Sequence, residues 1–171
     1  PEIGMVEYKA VAWQKALLEK YGFSVEMPYC GMDTAFKATY KGAKPGPNIA
    51  CLTEYDALEG VGHACGHNLM AMVGCGAGIA LREFVDEFGG NVFVFGTPAE
   101  ETLGGKSPMA DQGAFDDMDV ALLAHPGIAY YRSGSNAALN GYRIEFFGKP
   151  AHSAGNPDKG INALDAAINT F

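Results

Sequence analysis

The sequence predicts an α/β fold in which helices flank a mostly parallel β-sheet. Three apolar runs have the length of strands, and they lie at residues 49–53, 92–95 and 120–124. Each run is continuously apolar rather than alternating, which is typical of strands buried on both faces of a parallel sheet. Helical patterns separate the runs, at residues 68–88 and near residues 107–112. Strand and helix therefore alternate as they do in βαβ units.

The residues before these units are predicted to form one helix and two short strands. Apolar residues recur at helical spacing from Val6 to Leu17, and Gly22 stands where a C-cap glycine ends a helix. This pattern predicts a first helix from about residue 5 to residue 21. Two short strands are predicted next, at residues 23–27 and 35–40.

The character of the chain changes after Ser133, where a second domain is predicted to begin. A strand is predicted over residues 139–147, followed by a Gly-Lys-Pro turn and a helix from about residue 160 to the end. Because no stop signal ends this helix, we expect the chain to end inside the second domain. The predicted domains are residues 1–135 and 136–171.

Net charge and apolar content exclude several classes of function. The 171 residues carry 12 basic and 20 acidic side chains, with a net charge of −8, whereas nucleic-acid binders and peripheral membrane proteins usually present basic surfaces. The longest apolar run, residues 69–81, is shorter than the roughly 20 residues that span a bilayer. The four cysteines form no CxxC pair, which favours reduced thiols, or one metal ligand, in a cytoplasmic protein. We therefore expect no nucleic-acid partner and no membrane association.

Polar residues follow each of the three apolar runs, at the point where the predicted strand ends. They are Glu54 and Asp56 after the first run, Glu100 and Glu101 after the second, and His125 after the third. In open α/β sheets, ligands bind outside the carboxyl ends of the strands, so Asp56, Glu100, Glu101 and His125 are predicted to line one crevice. Each also has an ordinary structural interpretation: strand-end caps for the first two acids, a solvated face for the glutamate pair, and a core histidine for the last.

The segment GHACGHN lies directly before the long helix and can face the same crevice. If the segment is helical, His63 and His67 share a face and Cys65 lies on the far side. If it is a turn, which Gly62 and Gly66 permit, Cys65 and His67 converge instead, and the glycines favour the turn. Cys65 alone is interpretable as a buried small apolar residue. Histidine, cysteine and carboxylates together form a transition-metal ligand set, for which zinc is the leading candidate.

Three motifs resemble those of the dinuclear metallopeptidase family of aminoacylases, glutamate carboxypeptidases and desuccinylases. They are EYDAL at residues 54–58, GHACGHN at residues 62–68 and GTPAEE at residues 96–101. Within the family, they are most similar to the amidohydrolase branch, and there to its dipeptidase-like members. The resemblance implies a zinc-peptidase-like catalytic domain at residues 1–135 and the start of an α+β, ferredoxin-like dimerisation (lid) domain at residues 136–171.

The resemblance also implies roles for single residues. Two divalent metal ions, with zinc ahead of manganese, cobalt and nickel, would be bound by Cys65, His67, Glu101 and His125. Glu100 would be the general base, and Asp56 the carboxylate that orients or tunes the metal centre. His152 of the lid would reach a partner subunit's active site in a homodimer and hold the substrate's carbonyl oxygen or carboxylate.

The expected reaction is hydrolysis of an amide bond in a small-molecule substrate, either a dipeptide or an N-acyl amino acid. Glu54 and Asn68 stand where many relatives carry Asp, which leaves the substrate undecided. The family has a further metal-binding histidine beyond residue 171, so we expect an N-terminal fragment of this length to be inactive alone. The competing hypothesis is a non-catalytic metal-binding or partner subunit with a structural or vestigial site. A second acid beside a ligand acid favours the enzyme.

Overall fold

The computed structural model describes residues 1–129 and 141–171. The chain divides into two compact units, Pro1–Tyr130 and Tyr131–Phe171. The first unit holds the three apolar runs and the polar residues that follow them, and the second holds His152. The predicted domain boundary between residues 135 and 136 lies outside the described residues and stays a prediction.

A five-stranded mixed sheet forms the centre of the first unit. Its strands are β1 (Ser24–Glu26), β2 (Phe36–Lys41), β3 (Asn48–Thr53), β4 (Asn91–Gly96) and β5 (Val120–Leu122). The spatial order is β1-β2-β4-β3-β5. Strand β3 is parallel to both β4 and β5, whereas β2 is antiparallel to β4 and to β1. The predicted α/β class is confirmed, with the parallel part of the sheet confined to β4, β3 and β5.

Helices α1 (Tyr8–Lys20), α2 (His67–Phe88) and α3 (Lys106–Asp111) accompany this sheet. Helix α2 connects β3 to β4, as the alternation of strand and helix predicts. It begins directly after Gly66, whose φ of +79° is in the left-handed region, and it ends before Gly89. The carboxyl ends of β3 and β4 consequently lie side by side near the start of α2.

The prediction that the third apolar run is buried on both faces is wrong. Strand β5 is shorter than the predicted 120–124, and all three of its residues are exposed. Among the described residues, β5 pairs with β3 alone and therefore stands at an edge of the sheet. A continuous apolar run does not distinguish a central parallel strand from one with a single neighbour.

The second unit differs from the predicted pattern at its beginning. Residues 141–147 of the predicted strand at 139–147 form no strand, and residues 139–140 lie outside the described part. In the described residues of this unit, the β-type backbone pairing is limited to one antiparallel bridge, between Lys149 and Ile161. A strand forms only where a partner takes up its backbone groups. The predicted helix is present as α4 (Ala163–Thr170), and the Asn162 side chain caps it by accepting from the Leu164 amide at 3.0 Å.

Helix α2 packs closely on β3 and β4 because two of its glycines face the sheet. A Cβ at Gly74 would lie 2.5 Å from Thr53 Cγ2 and 2.7 Å from the Leu52 carbonyl oxygen, and one at Gly78 would lie 2.4 Å from Val94 Cγ2. By length and composition α2 is the one helix among the described residues that is apolar enough to cross a membrane. Met70, Cys75 and Val85 of this helix are buried, whereas Leu69, Met72, Val73, Phe84 and Phe88 are exposed.

This packing predicts opposite effects for two glycines of the same helix. Gly74→Ala is expected to destabilise the fold by about 1–3 kcal/mol, because the new methyl group meets the backbone of β3. Gly76 is exposed and has no atom within 4 Å of an added Cβ, so Gly76→Ala is expected to stabilise by up to about 1 kcal/mol through helix propensity. Urea unfolding of both variants measures the difference. Equal effects would contradict the close packing of α2.

Candidate metal centre

His67 lies at the centre of the candidate site as the first residue of α2, with 1% of its surface exposed. The segment before it is a turn, since Gly62 and Gly66 both adopt positive φ values, +82° and +79°. Of the two alternatives for this segment, the turn is therefore the correct one. His63 precedes the helix and does not share a helical face with His67. It lines a groove between α1 and α2 instead.

Asp56 fixes the orientation of the His67 ring. Its Oδ1 lies 2.9 Å from His67 Nδ1, and its Oδ2 accepts the Glu101 backbone N–H at 3.0 Å. A carboxylate accepts hydrogen bonds, so Nδ1 carries a proton, and Nε2 of the neutral ring is the atom that can bind a metal ion. Asp56 is itself 1% exposed. It therefore ties the end of β3 both to the start of α2 and to the turn after β4.

Three carboxylates face His67 Nε2. Glu54 Oε2 lies at 3.2 Å, and Glu100 Oε2 and Glu101 Oε1 each lie at 3.8 Å. The exposed His125 ring meets the His67 ring edge-on, with 5.7 Å between the ring centroids. Ligand-type atoms within 4.8 Å of one another form two sets around His67, one with Glu54 and His125 and the other with Glu100 and Glu101.

The chemistry of this cluster fits a divalent metal ion. His67 Nε2 and Glu54 Oε2 are buried and have no hydrogen-bond partner among the described residues. Buried polar atoms without a partner are rare in folded proteins. When the His67 ring is neutral, its Nε2 lone pair faces a lone pair of Glu54 Oε2 at 3.2 Å, and a proton or a metal cation between them relieves the repulsion. Histidine and carboxylate ligands are those that zinc and related ions prefer.

Cys65 lies next to this cluster but outside the two sets around His67. Its thiol donates a hydrogen bond to Glu101, which, together with burial and the surrounding negative charges, raises the pKa of Cys65 to about 11. The thiol is therefore protonated at neutral pH unless a cation is bound close to it. A divalent cation favours the thiolate, so metal binding here would release this proton.

Glu100 is more accessible than its neighbours, with 39% of its side chain exposed. Burial of the carboxylate and the nearby charge of Glu54 raise its pKa, and Lys106 opposes this shift. Its position depends on the turn after β4. Backbone pairing continues past the strand ends, where both the amide and the hydroxyl of Thr97 donate to the Thr53 carbonyl at 2.9 Å.

Glu54 and Lys106 are the two residues of the cluster whose part the sequence did not predict. Glu54 follows β3 and was interpretable as a strand-end cap, but its carboxylate is buried against His67. Lys106, the first residue of α3, donates a hydrogen bond from Nζ to Glu54 Oε1. The only local sequence pattern that indicated a part for Glu54 in the site was its position after a buried strand. No local pattern indicated a part for Lys106.

The two remaining predicted site histidines have defined ring contacts. Nδ1 of His125 lies 2.7 Å from the Pro126 carbonyl oxygen, so Nδ1 donates and Nε2 carries the lone pair. His152 belongs to the second unit, where its Nδ1 accepts the backbone amides of Ala154 at 3.3 Å and Gly155 at 3.0 Å. The neutral His152 ring therefore carries its proton on Nε2.

Comparisons with known proteins identify the family of this chain. The model of peptidase family M20/M25/M40 matches residues 45–170. The Xaa-Arg dipeptidase of Mus musculus is 41% identical over 153 residues, which cover 84% of this chain and 36% of the relative. One of the subunits of the p-aminobenzoyl-glutamate hydrolase of Escherichia coli (strain K12) is 34% identical over 189 residues, which cover 97% of this chain and 38% of the relative. The chain thus spans little more than a third of the length of these curated relatives.

Solved structures share the fold. A Bacillus subtilis protein described as a dinuclear metal binding peptidase from the M20 family superposes with a TM-score of 0.62 at 24% identity, over 71% of this chain and 37% of that one. A putative aminohydrolase from methicillin-resistant Staphylococcus aureus gives 0.60 at 29% identity, over 71% of this chain and 34% of the other. Because the family model covers well over half of these residues, the chain belongs to peptidase family M20/M25/M40.

Proposed function

We propose that the protein is a metal-dependent hydrolase that cleaves the amide bond of a dipeptide or an N-acyl amino acid. The observation that carries this proposal is the buried, unpartnered His67 Nε2, which is oriented by Asp56 and faced by three carboxylates. Relatives named as a dipeptidase, an aminobenzoyl-glutamate hydrolase and an N-acetyl-L-cysteine deacetylase support the substrate class.

The proposed ligands of two divalent ions are Cys65, His67, Glu101 and His125. Zinc is the first candidate because the set mixes sulfur, nitrogen and oxygen, and manganese, cobalt and nickel are the alternatives. Metal ions held there would supply a water of lowered pKa and would polarise the scissile carbonyl group. Asp56 supports this arrangement through the His67 ring and the Glu101 amide.

Glu100 is the proposed general base. It accepts a proton from the attacking water as the new C–O bond forms, and it then delivers this proton to the leaving nitrogen as the amide C–N bond breaks. Two properties support this role: its side chain is accessible to solvent, and burial raises its pKa.

His152 is proposed to bind substrate from the partner subunit of a homodimer, as part of the lid domain at residues 136–171. Its Nδ1 accepts two backbone amides, which leaves the Nε2 proton available for a carbonyl oxygen or a carboxylate. A cytoplasmic location is part of the same proposal, and the four free cysteines support it.

The competing proposal is a non-catalytic subunit with a structural metal site. A structural zinc site is closed by four protein ligands, whereas a catalytic site keeps one position open. Glu100 is an acid beyond the proposed ligands and is reachable from solvent, which favours the enzyme.

Metal removal tests the proposed function directly. The full-length protein that carries these residues, reconstituted with zinc or manganese, is expected to hydrolyse members of a panel of dipeptides and N-acyl amino acids. Treatment with a chelator is expected to abolish turnover, and adding the same metal, but not calcium, is expected to restore it. Turnover that persists after complete metal removal would contradict the proposal, and the absence of any turnover with full metal content would favour the non-catalytic subunit.

A further inference from the structure

Glu7 is a fully buried acid with no role in the proposed reaction. Its side chain has 0% exposure. Oε1 accepts the backbone N–H of Ala99 at 2.8 Å, and Oε2 accepts the hydroxyl of Thr34 at 2.7 Å. The bond to Ala99 joins residues 92 positions apart in the chain. Burial of a carboxylate costs free energy unless hydrogen bonds offset the lost hydration. The two groups that donate to Glu7 therefore indicate what this residue stabilises.

The start of α1 explains why this carboxylate is available. Glu7 stands at the N-cap position of the helix, yet its side chain makes no capping hydrogen bond. The carboxylate of Glu2 takes that place by accepting the amides of Lys9 at 3.0 Å and Ala10 at 2.9 Å. The Glu7 side chain is therefore free to turn inward, toward the loop after β4.

Ala99 has an unusual backbone conformation, and it directly precedes Glu100. Its φ of +57° lies in the left-handed region, which residues with a Cβ rarely adopt. Gly4 packs against the same residue, because a Cβ on Gly4 would lie 2.9 Å from both Ala99 Cα and Ala99 Cβ. The N-terminal segment thus holds this turn at two points, through Gly4 and through Glu7.

We infer that Glu7 is a positioning residue that fixes the turn carrying Glu100 and Glu101. Two buried carboxylates hold this turn from opposite ends, since Glu7 accepts the Ala99 amide and Asp56 accepts the Glu101 amide at 3.0 Å. Removing the Glu7 bond takes away the side-chain acceptor that stabilises the left-handed conformation at Ala99, so Glu100 and Glu101 are expected to shift from their places beside His67. The consequence for catalysis rests on the proposed function, whereas the consequence for the turn does not.

Three variants separate positioning from general stability. Glu7→Met keeps the side-chain volume and removes the acceptor, and Glu7→Gln keeps an acceptor for the Ala99 amide without the charge. Thr34→Val is the matched control, because it removes the other hydrogen bond of Glu7 and leaves the bond to Ala99 intact. If Glu7 only stabilises the fold, Glu7→Met and Thr34→Val are expected to change amide exchange, zinc affinity and turnover in proportion to the stability that each variant loses.

The first measurement is amide hydrogen exchange in the metal-free full-length protein, which does not depend on the proposed function. The Ala99 amide is expected to be protected in the wild type, the Gln variant and Thr34→Val, and to exchange faster in Glu7→Met. An Ala99 amide that exchanges in the wild type as fast as exposed loop amides would overturn the inference, even if a variant fails to fold.

The second measurement is zinc affinity and turnover of the same proteins. In Glu7→Met, zinc is expected to bind about 10–100-fold more weakly and kcat is expected to fall more than KM rises, as for other residues that support metal ligands. Glu7→Gln and Thr34→Val are expected to stay within about threefold of the wild type, because the acceptor for Ala99 remains. Equal zinc affinity in Glu7→Met and the wild type would overturn the inference, while a wild type that binds no metal would overturn the proposed function instead.

Discussion

Glu100→Gln is expected to lower kcat of the full-length protein by about 10²–10⁴-fold, the usual contribution of a general base, without loss of bound metal. Gln has nearly the same shape as Glu and keeps a hydrogen-bond acceptor, but it cannot take a proton from water. The variant also removes one of the carboxylates crowded around His67. Turnover is measured on the best substrate of the panel, and metal content by elemental analysis.

Glu101→Gln is the matched control, because it makes the same chemical change at the next residue. Because Glu101 is a proposed ligand, the Glu101→Gln variant is expected to lose both bound metal and activity. The two variants therefore separate base from ligand, although both carboxylates lie 3.8 Å from His67 Nε2. Wild-type turnover in Glu100→Gln would refute its role as the base, and loss of metal in that variant would make it a ligand instead.

His67→Ala is expected to lower metal affinity by at least about 100-fold, more than the usual loss of a supporting residue, and to abolish turnover. His67 is the residue shared by both sets of ligand-type atoms, and its removal also leaves Asp56 Oδ1 without the ring that it orients. Titration with zinc measures the affinity, and far-UV circular dichroism establishes that the variant is folded.

His63→Ala provides the control within the same motif. His63 is not among the proposed metal ligands, and it lines the groove between α1 and α2. Its replacement is expected to leave metal content at the wild-type level. If His63→Ala lost metal and His67→Ala kept it, the assignment of the ligand histidine in GHACGHN would be reversed.

Sequence patterns predict this protein best where neighbouring residues decide the structure. The apolar runs of β3 and β4 and the glycines at 62 and 66 predicted both the parallel strands and the turn before α2. Because parallel strands end at the same edge of a sheet, the polar residues after those strands were expected to meet, and the structure brings Asp56, Glu100 and Glu101 to His67.

Contacts between distant parts of the chain leave no such local pattern. Lys106 meets Glu54 across 52 residues, and Glu7 meets Ala99 across 92, so no local spacing indicates either pair. The third apolar run had the composition of a buried strand, yet β5 has a single neighbour among the described residues. In such cases burial and hydrogen-bond partners depend on residues that are distant in the sequence, and the periodicity of a segment does not predict which residues these are.

The metal content of the full-length protein tests the central claim most directly. After reconstitution in excess zinc or manganese and removal of free metal, elemental analysis is expected to give two ions per chain. Replacement of Cys65 or Glu101 is expected to lower that number. A single ion in a site closed to solvent would favour the structural subunit, and a chain that binds no metal would contradict the metal-binding role of the His67 cluster.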